Sequence, residues 1–247
     1  MKYTSRRLYF LLVTLLVSIA ANAQDKLIDS VAIRILDRMS NVIGDLKSCS
    51  LTVKTEYDSL DQELGYLKHL GESQLYFSGP NKMLVLPNGE RGHRGFWYNG
   101  SKMAYYSFTN NHYGFMESPP GSTLETISLI HDKYGIDFPA SDFFYPTFTD
   151  DLIASSDRIE YLGQVDMEGT NCFYVVAKSK DQSVQLWIRD DAFNLPAKMV
   201  IISKQGGNSR EFEANYSGWM VNPDLPDAMF DFIPPPTATK LTIVPSK

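Results

Sequence analysis

Apolar residues between positions 25 and 46 recur at intervals of three and four. The residues with this spacing are Leu27, Ile28, Val31, Ile35, Met39, Ile43 and Leu46. A period of 3.6 brings such positions to one side of an α-helix, while the charged residues between them face solvent. The pattern therefore predicts an amphipathic N-terminal helix that covers an apolar surface.

The chain then changes to the alternation of apolar and polar residues that is typical of β-strands. Leu51, Val53 and Tyr57 alternate with polar neighbours, and short apolar runs follow at 75–77 and 83–86. The turn-forming sequences between the runs are Gly79-Pro80-Asn81, Asn88-Gly89 and Asn99-Gly100. Glycine and asparagine tolerate the positive φ that tight hairpins need. The first half is therefore predicted to be an antiparallel meander.

A helical segment interrupts the strands near the middle of the chain. Ser122 and Glu125 form a capping box, in which each side chain satisfies a free backbone donor of the other residue. Gly135 is suited to end this helix in the left-handed conformation. An aromatic, proline-containing stretch follows at 136–148, and 150–153 is predicted to form a short helical turn. We interpret this region as a lid or plug.

Strand patterns return in the second half. They cover 158–165, 171–178, 184–188, 198–203 and 212–219. Glu168-Gly169 and Gly206-Gly207 are predicted to be hairpin turns. No linker, low-complexity tract or change of composition separates the two halves. The simplest fold is one α+β domain spanning 24–247, in which helices cover one face of a single, strongly curved antiparallel sheet.

The first 23 residues have the three parts of a secretory signal peptide. Basic residues at positions 2, 6 and 7 precede an apolar run over 8–19, and Ala21-Asn22-Ala23 matches the cleavage pattern. A membrane anchor is the alternative, but this run is shorter than the roughly 20 residues that span a bilayer. Gln24 follows the predicted cut, where a lipid-modified protein would have cysteine. We predict an exported domain without an integral membrane span after cleavage.

The charge balance argues against two classes of partner. The full chain has a formal net charge of −6, and the leader contains basic residues but no acidic ones, so the exported domain is more acidic still. The sequence lacks the basic footprint that nucleic-acid binding requires, and no nucleic-acid partner is predicted. Anionic membrane surfaces are poor partners for the same reason.

Cys49 and Cys172 are the two cysteines of the chain. Export to an oxidising compartment allows a disulfide between them. Both lie beside predicted strands, however, where a buried free cysteine is a common outcome. The sequence leaves the two alternatives open.

Patterns for catalysis and metal binding are few. The histidines at 69, 93, 112 and 131 lack the spacing that places two metal ligands on one helix face. The sequence contains no Gly-x-Ser-x-Gly nucleophile elbow. Asp150-Asp151 and Asp190-Asp191 are acid pairs of the kind found in turns and helix caps. We therefore predict no catalytic residue, no metal site and no cofactor.

Segments of the first half resemble the early strands of the outer-membrane lipoprotein carrier (LolA/LolB-like) superfamily. They are residues 71–85 with the Gly79-Pro80 turn, the aromatic strand Phe96-Trp97-Tyr98 leading into Asn99-Gly100, and Met103-Ala104-Tyr105. The second half resembles an uncharacterised family of predicted periplasmic proteins within that superfamily. Its matching segments are 184–188, 195–200, 216–219 and 230–235. Together the matches are spread over most of 25–236.

The resemblance implies a half-open antiparallel β-barrel, a half-barrel whose apolar face lies under an N-terminal helix and a central helical lid. In the best-known members this cavity holds the acyl chains of lipoproteins and carries them through the periplasm. The resemblance therefore implies a hydrophobic ligand or lipoprotein as the partner and the periplasm as the location.

Aromatic residues make up 13% of the chain and concentrate in the first meander. A curved sheet has a large inner face to line, and aromatic or unbranched side chains adapt to mixed apolar chains. The predicted cavity lining consists of Tyr76, Leu84, Leu86, Phe96, Trp97, Met103, Tyr105, Phe115, Met116 and Trp187. Packing in an ordinary core is the alternative for each of these residues.

The leading hypothesis is a periplasmic, non-enzymatic carrier or binding protein for a lipid, an acylated protein or another apolar ligand. The alternative is an envelope sensor or protein-interaction module of the same fold. A cavity sealed by large side chains, with an exposed apolar patch elsewhere, would favour that alternative. A hydrolase is the third hypothesis, and its signature would be histidine and carboxylate side chains clustered inside the cleft.

Overall fold

The structure, a computed structural model, describes residues 26–116, 121–136, 138, 141–205 and 208–245. Within these ranges the chain forms one open α+β domain with a sheet of 13 strands. The α-helices are α1 (Ser30–Gly44), α2 (Thr123–Tyr134) and α3 (Phe148–Ser155). Two 3-10 helices span Ser141–Phe144 and Asp227–Phe230. The leader predicted for residues 1–23 lies outside the described residues.

The strands follow one another along the chain in two meanders. The first group is β1 (Leu27–Ile28), β2 (Ser48–Asp61), β3 (Gly65–Ser78), β4 (Lys82–Gly89), β5 (Arg94–Tyr98), β6 (Met103–Ser107) and β7 (His112–Met116). The second group is β8 (Arg158–Met167), β9 (Thr170–Lys178), β10 (Gln182–Arg189), β11 (Pro196–Gln205), β12 (Asn208–Val221) and β13 (Thr239–Lys240). Their order in the sheet is β1-β8-β9-β10-β11-β12-β2-β3-β4-β5-β6-β7-β13.

The sheet is mixed, which corrects the prediction of a purely antiparallel one. Neighbouring strands from β8 through β12 and β2 to β7 pair antiparallel, as predicted. At the two edges, however, β1 pairs with β8 and β13 pairs with β7 in parallel. The reason is that the segments before α1 and after β12 each run along an edge strand for two residues. The sheet remains open and does not close into a barrel.

Helix α1 confirms the N-terminal amphipathic helix. Asp29 caps it, because its carboxylate accepts a hydrogen bond of 2.7 Å from the backbone N–H of Val31. A second N–H, from Tyr161 in β8, reaches the same carboxylate at 3.2 Å and ties the helix start to the sheet. The apolar stripe of α1 is buried: its residues are Ala32, Ile35, Leu36, Met39 and Ile43.

The central helix also begins and ends where the sequence predicts. The Ser122 hydroxyl accepts from the backbone N–H of Glu125 and donates to its carboxylate at 2.8 Å, so the predicted capping box starts α2. Gly135 ends the helix at φ 61°, as predicted. The lid consists of α2, the 3-10 helix Ser141–Phe144, α3 and Phe138.

Two predicted turns differ in outcome. Glu168 and Gly169 both adopt positive φ and join β8 to β9, as predicted. Asn88-Gly89 is instead the end of β4, and the chain turns only afterwards, with Gly92 at φ 80°. The predicted turn at 206–207 lies outside the described residues.

The helices cover one face of the sheet, here called the inner face, and the other is called the outer face. The buried strand residues of the inner face include Leu51, Val53, Leu75, Met83, Val85, Tyr98, Val175, Leu186, Ile188 and Ala214. These residues and the lid form one continuous apolar cluster. The hydrophobic effect of removing both surfaces from water therefore holds the lid on the inner face.

The C-terminal segment 222–245 wraps around the β7 edge of the sheet. Phe230 and Phe232 pack on the outer face, where the Phe232 ring lies 4.9 Å from that of Trp97. The segment then forms β13 beside β7, and Ile243 reaches the inner face, where it packs close to Gly114. A Cβ at Gly114 would lie 2.6 Å from the Ile243 side chain, so this crossing requires glycine.

Candidate functional site

Aromatic side chains of the lid occupy the inner face. The ring of Phe138 lies 5.2 Å from that of Phe96 in β5, and Phe144 lies 4.6 Å from Phe77 in β3. Phe143, only 1% exposed, packs at 5.3 Å against Tyr216 of β12. The lid therefore fills the space where an apolar ligand of this fold was expected.

Four of the ten predicted lining residues lie on this inner face. They are Phe96, Met103, Tyr105 and Met116. Phe96 and Met103 are almost fully buried, and Met116 is 8% exposed. In the observed, closed arrangement they contact protein and serve as core.

The other six predicted lining residues lie on the outer face, which corrects their placement in one cavity. They are Tyr76, Leu84, Leu86, Trp97, Phe115 and Trp187. Successive side chains of a strand point to opposite faces, so Trp97 cannot share the face of its neighbour Phe96. Directly paired residues of neighbouring strands share a face. The pairs Trp97–Ala104 and Ala104–Phe115 therefore place Trp97 and Phe115 together on the outer face.

Two of these outer-face residues, Trp97 and Phe115, line a shallow pocket of about 320 Å³. Ala104 lies at its base between the larger side chains of Trp97 and Phe115, and the C-terminal segment contributes Phe230 and Phe232. The Trp97 indole lies over Gly95, since a Cβ there would be 2.2 Å from the ring. The C-terminal aromatics were not singled out from the sequence as partners of this surface.

The lid leaves one end of the inner face uncovered. A cleft of about 240 Å³ lies there across β2, β11 and β12. The residues that line it are Tyr57, Asp58, Ile201, Ser203, Arg210, Glu211 and Phe212. Ile201 and Phe212 also pack against the main apolar cluster. The apolar inner face is thus continuous from the buried core to solvent.

Polar side chains surround this uncovered end. The His69 ring stacks on Tyr57 at a centroid distance of 5.0 Å. Its Nε2 lies 2.7 Å from the Ser59 hydroxyl and its Nδ1 lies 2.5 Å from a carboxylate oxygen of Glu90. The hydrogen bond with His69 holds the pKa of Glu90 below its usual value. Neither Ser59 nor Glu90 was a predicted site residue, since only the pairing of β2, β3 and β4 brings them to His69.

An ion pair lies on the outer face of the same strands. Lys68 Nζ lies 3.0 Å from Asp58, and this contact, together with the backbone N–H of Glu211, lowers the pKa of the Asp58 carboxyl. The pKa of Lys68 is raised by the same partner. These contacts fix the ends of β2, β3 and β12 relative to one another.

The cysteines are buried free thiols in the structure. Cys49 lies on the inner face of β2, whereas Cys172 lies on β9, four strand positions away. At about 4.8 Å per strand this is roughly 19 Å along the sheet, and a disulfide requires Cα atoms within about 7 Å. The described arrangement therefore corresponds to the unbridged alternative.

Metal ligation and membrane insertion both leave recognisable features in a structure. In the described residues no three or more His, Cys, Asp or Glu side chains come together as metal ligands would. No helix in the same part of the chain has the length and hydropathy needed to cross a membrane.

Comparison with known proteins identifies the family. A model of the family described as "Predicted periplasmic protein (DUF2092)" matches residues 32–244. The chain belongs to this family. The match runs from α1 to beyond β13 and confirms the family and the periplasmic location that the sequence predicted. No curated protein matches the chain.

The chain is also similar to several solved structures. An uncharacterized conserved protein from Thermus thermophilus is 12% identical, with a TM-score of 0.47 over 87% of this chain and 100% of that one. LprF from Mycobacterium bovis is 13% identical (TM-score 0.44; 79% and 97%). A LolA superfamily protein from Nitrosomonas europaea is 11% identical (TM-score 0.37; 81% and 97%). Because all three TM-scores are below 0.5, no conclusion about this chain is drawn from these similarities.

Proposed function

We propose that the protein is a periplasmic binding protein or carrier for a ligand with an apolar chain, such as a lipid or an acylated protein. The ligand lies between the inner face of the open half-barrel and the lid. The observation that carries this proposal is the continuity of the apolar inner face with the cleft at Tyr57, Ile201 and Phe212. A chain that enters there passes along Ile201 and Phe212 onto the apolar inner face.

Entry requires the lid aromatics to move away from the inner face. Re-exposing Phe138, Phe143 and Phe144 costs roughly 5–9 kcal/mol, at about 1.5–3 kcal/mol for each side chain. A buried methylene contributes about 0.8 kcal/mol. A chain of roughly six to eleven buried methylenes therefore offsets the opening of the lid, which corresponds to an acyl chain of ordinary length.

The test is a titration of the delipidated chain with dansyl-labelled undecanoic acid, followed by dansyl emission. We expect saturable binding of one probe per chain. Phe144→Ala weakens the closed lid because Phe144 packs against Phe77, with ring centroids 4.6 Å apart. We therefore expect this variant to bind the probe about tenfold more tightly, a difference of about 1.4 kcal/mol.

Phe108→Ala is the matched control, because Phe108 is 42% exposed and contacts the outer-face aromatics Trp97 and Tyr106. Its affinity for the probe is expected to equal that of the wild type. The proposal fails if neither the wild type nor Phe144→Ala binds the probe, or if Phe108→Ala has the same effect as Phe144→Ala.

A specific observation also supports a second candidate, a protein-interaction module. The lid seals most of the inner face, and the hairpin tip, defined as residues 58–70 of β2 and β3, extends beyond the pairing with β12 and β4. Three leucines of the tip are exposed: Leu60 (48%), Leu64 (74%) and Leu70 (56%). Several exposed apolar side chains on one projecting hairpin are typical of an interaction surface.

Photo-crosslinking in the periplasm tests this candidate. A photoreactive residue at Leu64 is expected to give one discrete adduct that disappears when Leu60 and Leu70 are changed to asparagine. The control position is Leu162, which is 52% exposed on β8. Equal crosslinking at Leu64 and Leu162 would argue against the module.

A further inference from the structure

Three side chains at the uncovered end of the inner face form a hydrogen-bonded relay. The Ser59 hydroxyl lies 2.7 Å from Nε2 of His69, and Nδ1 of the same ring lies 2.5 Å from Oε2 of Glu90. The order is that of a serine hydrolase: a hydroxyl, an imidazole bonded to it, and a carboxylate on the other ring nitrogen. Hydrogen-bond reach between nucleophile and base is the geometric requirement for this chemistry.

The strand register holds the relay in place. His69 pairs with Tyr57, and Ser59 pairs with Leu67 two positions further along the hairpin. Ser59 and His69 are therefore diagonal neighbours on adjacent strands and share the inner face. Glu90 follows β4 directly, next to the Gly89–Gly71 pair, and its second oxygen accepts from the backbone N–H of Leu70 at 3.4 Å.

We propose that Ser59, His69 and Glu90 form a catalytic triad that hydrolyses carboxylic esters whose acyl chain lies in the adjacent cleft. Glu90 accepts a hydrogen bond from the Nδ1–H of His69, which leaves the lone pair of Nε2 directed at the Ser59 hydroxyl. The side chains of Ser59 and His69 are partly accessible, with 26% of the His69 side chain exposed. A substrate can therefore reach them from solvent.

Arg210 is the one positively charged side chain among the described residues that line the cleft. It lies two residues before Phe212 in β12, and Phe212 pairs with Tyr57, which lies two residues before Ser59 in β2. In the proposed site the Arg210 guanidinium stabilises the negative oxygen that develops when a hydroxyl attacks a carbonyl.

The surroundings define the class of substrate. Tyr57, Ile201 and Phe212 form an apolar surface on which an acyl chain can pack next to Ser59. The expected substrate is an ester of a medium or long acyl chain, with the alcohol portion directed towards solvent.

The reaction balances with water as the only co-reactant. Ser59 Oγ bonds to the carbonyl carbon while its proton passes to Nε2 of His69. The bond from that carbon to the alkoxy oxygen then breaks, and His69 returns the proton to the departing alcohol. Water, deprotonated by His69, attacks the acyl-serine, and its proton passes back to Ser59 as the carboxylic acid leaves. Glu90 positions His69 throughout and touches no substrate atom.

Hydrolysis of p-nitrophenyl octanoate by the purified chain is the first test. We expect turnover above the buffer rate, and a loss of at least roughly a hundredfold in kcat for Ser59→Ala and for His69→Gln. Glu90→Gln is expected to lower kcat while leaving KM unchanged, as a positioning role requires. A fluorophosphonate probe is expected to label Ser59 alone, as found by peptide mapping.

Ser101→Ala and His112→Gln are the matched controls. Ser101 lies in the turn between β5 and β6, and His112 lies on the inner face of β7, so neither belongs to the relay or lines the cleft. Both variants are expected to keep wild-type turnover. Activity that persists in Ser59→Ala, loss of activity in Ser101→Ala, or a wild-type rate equal to buffer together with an unlabelled Ser59 would each overturn the triad.

The result of the hydrolysis test can be distinguished from the result of the probe-binding test of the proposed function. The triad rests on the cleft but not on movement of the lid, so each proposal has its own measurement. Ser59→Ala is expected to bind the dansyl acyl probe as the wild type does. Probe binding without hydrolysis overturns the triad alone, and hydrolysis without probe binding overturns the carrier alone.

Discussion

The ring of Phe138 in the lid meets the ring of Phe96 in β5 edge-on, with centroids 5.2 Å apart and ring planes at 89°. Such edge-to-face pairs contribute about 0.5–1.5 kcal/mol beyond the burial of their area. Phe138 is 5% exposed and Phe96 is 2% exposed. This contact fastens the lid to the same inner face that was predicted to hold a ligand.

Replacing Phe138 by alanine removes that contact and leaves a cavity under the lid. We expect Phe138→Ala to lower the free energy of unfolding by about 3–5 kcal/mol, as measured by urea denaturation. Phe193→Ala is the control, because Phe193 is 47% exposed, and its loss is expected to stay below about 1 kcal/mol. Equal losses in the two variants would show that the lid is not packed on the sheet.

Tyr216 places a hydroxyl in the core beneath the lid, where no described residue pairs with it. Burial raises the pKa of this phenol well above its usual value. A buried, unpaired polar group costs about 1–3 kcal/mol. We therefore expect Tyr216→Phe to raise the free energy of unfolding by about 1 kcal/mol, as measured by urea denaturation.

Tyr106→Phe is the matched comparison, because it removes the same hydroxyl oxygen from a tyrosine whose hydroxyl is hydrogen-bonded. The Tyr106 side chain is also largely buried, but its hydroxyl donates to Asn111 at 2.8 Å. Its removal is expected to lower stability by about 0.5–1.5 kcal/mol. If Tyr216→Phe is destabilised as much as Tyr106→Phe, the Tyr216 hydroxyl has a partner in solution.

The start of α1 makes stability depend on pH. Hydrogen bonds from the backbone N–H groups of Val31 and Tyr161 hold the pKa of Asp29 below its usual value. A lowered folded-state pKa stabilises the fold fully above the unfolded-state pKa, and this contribution is lost as pH falls through the folded-state value. Asp29→Asn is thus expected to flatten the decline of Tm in acid. Asp37→Asn, an exposed change on the same helix, is expected to leave the profile as in the wild type.

The local signals in the sequence anticipated most of the framework. The spacing of apolar residues predicted α1, and the Ser122–Glu125 box and Gly135 predicted both ends of α2. These features depend on residues within one or two helical turns of each other, so a short stretch of sequence is enough to predict them. The family resemblance added the position of the lid over one face.

Side-chain placement on the sheet could not be predicted in the same way. Phe96 and Trp97 are adjacent and equally apolar, and only the pairing of β5 with its neighbours shows that one faces the lid and the other the C-terminal segment. The relay of Ser59, His69 and Glu90 has the same origin. Its members are joined by strand register, which no sequence motif records.

The fold predicts that Cys49 and Cys172 are free, unreactive thiols. Burial raises the pKa of Cys49 to about 12 and also raises that of Cys172, so both thiols stay protonated near neutral pH. The thiolate is the reactive form, and Ellman's reagent is therefore expected to react with neither cysteine in the folded chain. After unfolding in guanidinium without reductant, both are expected to react. A chain that stays unreactive until reductant is added would contain a disulfide, and β2 and β9 would then have to lie closer together than their four strand positions allow.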